Sequence, residues 1–362
     1  MMPAAPSESK RDVLHFAPGI ALSAALAALA MGLGGLGWLQ SHGMSALTVA
    51  ILLGIIIANT VHGRLAGTCG LGVNFSKQTL LRAGVVLYGL RLTLQDIGHV
   101  GIAGVLIDAV VLTSTFALAF VLGTRVFGLD RTTAILIGAG SAICGAAAVM
   151  ATEPIVRAKA EQVTVAVSCV VVFGTLAIFL YPVLYSLNVH WQLIPAGSRA
   201  FGIYAGSTIH EVAQVFAAGR SVSIATADTA VVTKMVRVMM LAPLLIALSA
   251  WSTRGAGQIH TGMNPPAASG AIQRLRIPWF AFGFIGVVLF NSLGLLPQNV
   301  RIALVDVDTF ILAMAMAALG LTTHVSAIRA AGVKPLLLGG TLFAWLILGG
   351  GLINALVAHA LN

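Results

Sequence analysis

Charge is scarce in this sequence. Of 362 residues only 9% are Asp, Glu, Lys or Arg, against about a quarter in soluble globular chains, so a soluble fold with an ordinary surface is excluded. Cysteine is rarer still. Cys69, Cys144 and Cys169 are odd in number and spread along the chain, so neither a disulfide framework nor a cysteine metal cluster follows. No Walker-type phosphate-binding sequence occurs, which excludes a fused nucleotide-driven motor. His62, His99 and Glu211 offer no compact metal-ligand spacing, and nothing implies a cofactor. The formal charge is +9, but the basic residues mostly stand singly between apolar runs. Without a basic block interleaved with aromatics, nucleic acid is not an expected partner.

What fills the chain is apolar. Hydrophobic residues make up 58%, the mean hydropathy is +0.98, and there are 40 glycines, which suit closely packed membrane helices. About 20 apolar residues cross a bilayer as a helix. The pattern predicts an all-α polytopic membrane protein with about eleven transmembrane helices, at 18–39, 44–61, 79–95, 101–123, 132–151, 162–187, 200–218, 227–250, 278–295, 308–323 and 335–358. Residues 1–15 form a polar cytoplasmic N-terminus, and 16–362 a single transmembrane domain. A cleaved signal peptide is the rival reading of the first run, but its length and the series of spans behind it favour a retained helix. Gly255–Gln273, rich in Gly, Pro, Ser and Asn, reads as a flexible loop.

Orientation follows from the loops. On this parse one set holds Lys10, Arg11, Arg64, Lys77, Arg125, Arg131, Arg199, Arg254, Arg274, Arg276, Arg329 and Lys334. The other holds only Arg91, Arg157, Lys159, Arg220 and Arg301. The positive-inside tendency then places the N-terminus in the cytoplasm and the C-terminus in the periplasm.

Two pairs of segments resemble each other. IGAGSAICGAAAV at 137–149 matches IYAGSTIHEVAQV at 203–215, and GVVLYGLRLT at 84–93 matches AMAALGLTTH at 315–324. Chance likeness of Gly/Ala-rich helices is one reading. The other is inverted repeats around interrupted helices, whose free ends supply oriented dipoles at midmembrane depth. GAGSAICG and AALGLTTH are the expected interruptions, in spans five and ten. That spacing suits an extra first helix followed by two five-helix repeats, about 44–187 and 200–358.

Ionisable residues inside spans are costly and mark function or helix locking. His210 and Glu211, in GSTIHEVAQV, form a proton-linked or substrate-binding element, or else a polar lock. Lys234 and Arg237 are three apart and share a helix face that can hold an oxyanion or pair with Glu211, while Asp228 is less well aligned. Arg82 is the interior candidate of LRAGVVLYGLRLT and Arg91 the interfacial one. Asp108 is a further carboxylate at membrane depth. Gly138, Gly140, Ser141 and Gly145 could expose backbone donors to an anion, or else GAGSAICG is simply a packing sequence, and Ser207 is a further binding or coupling candidate. Ser141, Ser207 and His210 do not establish a hydrolase constellation, so no enzyme activity is expected.

GAGSAICGAAAVMA at 138–151, GSTIHEVAQVFAAG at 206–219 and LRAGVVLYGLRLT at 81–93 together resemble the YeiH family of bacterial inner-membrane proteins, from about Phe16 to the end of the chain. The resemblance implies inverted repeats with crossed, interrupted helices, related in outline to bile-acid symporters and sodium/proton antiporters. The family's sulfate-exporter label implies a small anion such as sulfate or a sulfonate. A paired-aspartate centre is absent, which argues against cation/proton exchange. The expected function is therefore secondary transport of a small inorganic or organic anion, coupled to protons, across the inner membrane. A cation/proton antiporter and a structural or sensory membrane protein are the alternatives, and self-association into a homo-oligomer stays open.

Overall fold

The computed structural model describes residues 8–36, 39, 44–191, 197–256, 279–324 and 331–361. Every regular element among them is helical. In chain order these are α1 (Glu8–Gly34), α2 (Ala46–Thr60), α3 (His62–Phe75), α4 (Leu81–Leu87), α5 (Leu94–Val121), α6 (Arg131–Ala142), α7 (Ala146–Val156) and α8 (Ala160–Trp191). Then come α9 (Ser198–Thr208), α10 (Val212–Val222), α11 (Ile224–Met239), α12 (Leu241–Ala256), α13 (Trp279–Ser292), α14 (Gln298–Leu321) and α15 (Val333–Leu361). A π-helical turn, Ser76–Leu80, joins α3 to α4. Nearly all of the predicted loop Gly255–Gln273, with Arg274, Arg276 and Arg329, lies outside the described residues.

Six stretches are long and apolar enough to cross a membrane: His15–Gly34, Val100–Val126, Ala160–Trp191, Ile224–Trp251, Gln298–Leu321 and Val333–Ala360. Large apolar side chains face outward on them and their neighbours, among them Ile102 at 77% and Leu348 at 74% exposure. Such surface is stable against hydrocarbon and not against water.

Small residues set the closest crossings. A Cβ on Gly54 would stand 2.9 Å from Gly320 Cα, so glycine at both positions lets α2 and α14 pack backbone to backbone. Side chains fix the helix starts. Asp130 accepts from Thr133 N at 2.9 Å at the head of α6, and Ser223 accepts from Thr226 N at 3.0 Å at the head of α11. Each cap satisfies an otherwise orphaned amide.

The interruption expected in GAGSAICG is present. α6 stops at Ala142, Gly145 takes φ +73°, and α7 starts at Ala146. In AALGLTTH (317–324) the helix stops at Leu321, and residues 325–330 beyond it lie outside the described residues. α14 runs unbroken through Ala317, Ala318 and Gly320 to Leu321 and ends at Thr322, because nothing in that apolar run removes an intrahelical hydrogen bond. The break that faces the first lies at Ile209–Glu211, between α9 and α10, where Ile209 and Glu211 are extended. In the alignment of 137–149 with 203–215, both first halves end at the same position and both second halves start at the same position. The two breaks that face each other thus fall in spans five and seven of the parse.

Candidate functional site

The two breaks meet against one face of α11. Fully buried Arg237 sends Nε to Ala142 O at 2.6 Å, Nη2 to Ser141 O at 3.3 Å and Nη1 to Ser207 O. Ser141 and Ser207 occupy matching positions, so one guanidinium closes the carbonyl ends of α6 and α9 together. One turn earlier Lys234 Nζ donates to Ile209 O. Helix C-termini carry partial negative charge, and these two cations stand where it accumulates. Lysine has three donors. Among the described residues Lys234, also fully buried, uses one.

The amino ends of the second halves meet a carboxylate. Glu211 Oε1 accepts from Ala146 N at 3.1 Å, at the start of α7, while Glu211 itself precedes the start of α10. Gln214 Oε1 returns to Glu211 N at 3.0 Å, but Gln214 Nε2 is buried without a partner. Lys234 and Lys77, the latter in the π-helical turn, lie within electrostatic reach of Glu211. Glu211 keeps accessible surface, whereas its neighbours His210 and Val212 are 1% and 8% exposed. His210 approaches the Phe343 ring at 6.1 Å, and both its ring nitrogens lack hydrogen-bond partners.

Asp108 on α5 completes the centre. It is fully buried, within electrostatic reach of Arg237 and Lys234, and neither carboxyl oxygen has a hydrogen-bond partner. Gly140 and Ser141 are buried in α6, and Gly140 O accepts from Gly145 N at 2.9 Å. Ser207 Oγ donates to Tyr204 O at 3.0 Å and accepts from Asn354 Nδ2 at 3.2 Å. The candidates Glu211, His210, Lys234, Arg237, Asp108, Gly140, Ser141 and Ser207 therefore gather at one crossing.

Asp228 and Arg82 do not join them. Asp228 accepts from Tyr88 Oη at 2.6 Å, on the side of α11 away from the breaks. Arg82 is half-buried and makes no hydrogen bond or ion pair among the described residues. Both arginines of LRAGVVLYGLRLT are half-buried. Arg91 is bonded to Asp308 at 2.9 Å, to Val305 O at 3.0 Å and to Thr309 Oγ1 at 2.7 Å, with Tyr88 beneath it at 5.0 Å. Asp308 was missed because the tenth span was started at 308, which set this carboxylate at a boundary. The helix begins ten residues earlier, at Gln298. Gln214 and Lys77 were missed as well. For Gln214 the available signal was its position three residues after Glu211, the spacing of a capping pair.

Between this second cluster and the crossing lies an apolar cavity of about 10 Å³, lined by Val85, Tyr88, Val212, Phe216 and Leu312 among others. That is room for about one water. Phe216 meets Tyr88 edge to face at 4.8 Å. Among the described residues no three His, Cys, Asp or Glu side chains gather at metal-binding spacing.

Fold and site together define a polytopic helical membrane protein with a buried charged centre built on two broken helices. The family model described as Conserved hypothetical protein 698 matches residues 18–339, and the chain belongs to this family, whose curated members include YeiH. It is 62% identical over 345 residues, 95% of each chain, to the UPF0324 membrane protein PA5383 of Pseudomonas aeruginosa. It is 54% identical to the UPF0324 inner membrane protein YeiH of Escherichia coli K12 over 347 residues, 96% of each chain. The same identity relates it to YeiH of Salmonella typhi over 352 residues, 97% of each chain. No solved structure matches it.

Proposed function

We propose that the protein is a secondary transporter of a small oxyanion, with sulfate or a sulfonate as the substrate class and protons as the coupling ion, acting in the bacterial inner membrane. The observation that carries this reading is the fully buried pair Lys234 and Arg237 at the facing breaks, with Lys234 keeping spare donors. Two fixed cations face two carboxylates there, Glu211 and Asp108. A proton on either carboxylate leaves net positive charge in a low-dielectric setting, where an anion is strongly attracted. Breaks of this kind are the usual substrate platform of secondary transporters.

On this reading α2, α3 with α4, α6/α7, α9/α10 and α13 are also crossings, which with the six long stretches gives about eleven spans, with the N-terminus cytoplasmic and the C-terminus periplasmic. The likeness to bile-acid symporter and sodium/proton antiporter folds and the division into inverted repeats belong to the same proposal. One observation favours cation/proton exchange as a second reading: the unpartnered Asp108 carboxylate is a natural proton carrier.

Uptake of radiolabelled sulfate into proteoliposomes, with and without an imposed pH gradient, tests the proposal. Gradient-driven uptake by the wild type, reduced about tenfold or more in Lys234→Met, is expected for a loss of one desolvated charge contact. Thermal unfolding of the variant shows whether it is still folded. If neither sulfate nor a sulfonate moves under a proton, sodium or potassium gradient, the anion reading fails. Sodium- or potassium-dependent proton movement without anion dependence would favour the exchanger.

A further inference from the structure

We infer that the Glu211 carboxylate is a tethered stand-in for the substrate: it occupies the oxyanion site formed by the amino ends of α7 and α10, and the free anion takes its place when Glu211 is protonated. The inference rests on the proposed transport function and names the site within it.

A carboxylate at a helix N-terminus makes the contacts a free anion would make there. Glu211 does so at α7 through Ala146 N while heading α10. The surroundings hold more donors than this one carboxylate uses. Gln214 Nε2, on the first turn of α10, is fully buried and unpartnered. Lys234 has two N–H donors without acceptors among the described residues. Both ring nitrogens of buried His210 are unused. Buried polar groups next to Glu211, a residue that keeps some accessible surface, thus retain unmet hydrogen-bonding capacity among the described residues, although buried donors are ordinarily satisfied.

The charges agree. Facing Glu211 are Lys77 from the π-helical turn and Lys234 from α11. The Cys144 thiol faces it from the α6/α7 break, and His210 precedes it within the α9/α10 break. Arg237 and Asp108 stand one layer behind, next to Lys234. With Glu211 ionised, one negative charge faces the two lysines and the helix amino ends. With Glu211 neutral, two lysines and two helix amino ends face an uncharged group, and a free oxyanion restores the balance. Gly145 makes room for the carboxylate, since a Cβ there would stand 2.7 Å from Oε1 and 2.9 Å from Cδ.

The test reads anion binding without transport. Purified protein in detergent is titrated with sulfate and with methanesulfonate, against gluconate as control, and thermal unfolding is followed at about pH 5.5 and about pH 8, a span that changes the protonation of a responsive carboxyl group. The wild type should be stabilised by sulfate at the acid pH and little at the alkaline one. In Glu211→Gln, which keeps an oxygen for Ala146 N and removes the charge, the response should be flat with pH and tighter than the wild type at pH 8, by about tenfold for each pH unit above the carboxyl's pKa. A Glu211→Gln response with the same pH dependence as the wild type overturns the inference, and so does a wild-type response independent of pH, which can be read even if the variant does not fold. Sulfate transport in liposomes alongside either result would retain the carrier and discard the tether. No anion response in either protein, with no transport, discards both.

Discussion

Gly145→Ala probes the crossing most directly. Gly145 sits at φ +73° and ψ −138°, a conformation open to glycine and costing other residues about 1–3 kcal/mol. A methyl group there would also stand 2.7 Å from Glu211 Oε1 and 2.9 Å from Cδ. Forcing the carboxylate aside adds an overpacking cost of about 1–3 kcal/mol and threatens the charged hydrogen bond to Ala146 N, worth about 1.5–3 kcal/mol. Relief of the clash by breaking that bond means the last two costs are alternatives. The expected total is about 3–5 kcal/mol. The same substitution in a Glu211→Ala background meets no carboxylate and keeps only the backbone cost of about 1–3 kcal/mol. A double-mutant cycle on unfolding in mixed micelles should therefore give a coupling of about 2 kcal/mol. An equal penalty in both backgrounds would show that Glu211 does not lie against Gly145 and would remove the basis for the facing breaks.

Arg237→Lys keeps the charge, but one amine cannot serve Ser141 O, Ala142 O and Ser207 O together, so a loss of about 3–5 kcal/mol is expected in the same unfolding assay. Asp308→Asn should cost a similar amount by leaving Arg91 uncompensated, and the paired replacement Asp308→Leu with Arg91→Met should recover most of it. A single-mutant loss under about 1 kcal/mol would instead mark the Arg91–Asp308 pair as a surface ion pair. Tyr88→Phe removes the hydroxyl bonded to Asp228 and should destabilise by about 1.5–3 kcal/mol. Buried Cys144 should react slowly with a membrane-permeant maleimide, and faster when a transported anion opens the crossing.

Much of the centre was legible because membrane sequences contain so few charges. His210, Glu211, Lys234, Arg237 and Asp108 stand out against apolar neighbours, and the three-residue spacing of Lys234 and Arg237 places both on the face that meets the breaks. The likeness of 137–149 to 203–215 also carried structural meaning, since the matched positions end and restart their helices together. Other features depended on distance rather than spacing. Nothing local distinguishes AALGLTTH, which stays helical to Leu321, from STIHE, which breaks. The difference is that Ile209 O has Lys234 and Ser207 O has Arg237 to take over carbonyl groups that a continuous helix would bond internally. The bonding of Arg91 was not legible locally because its partner Asp308 is 217 residues away.

The matched breaks also explain why their sequences differ where they do. Gly145 and Glu211 occupy the same position in the two segments, and the side chain of one fills the space above the other. Two carboxylates there would repel, and two glycines would leave two helix amino ends bare in a low-dielectric interior. One glycine and one glutamate supply a single negative charge shared between two amino ends, just as Arg237 supplies a single guanidinium shared between two carboxyl ends. The arginine bonds through all three of its nitrogens and cannot lose its proton under biological conditions, so its half of the crossing is fixed. The glutamate is held through one amide of α7, belongs to a residue that keeps some accessible surface, and can become neutral by gaining a proton. A cation site would need Glu211 and Asp108 both ionised beside Lys234 and Arg237, with those cations silenced. An oxyanion site needs only one proton on Glu211, which is why an anion is the substrate class proposed.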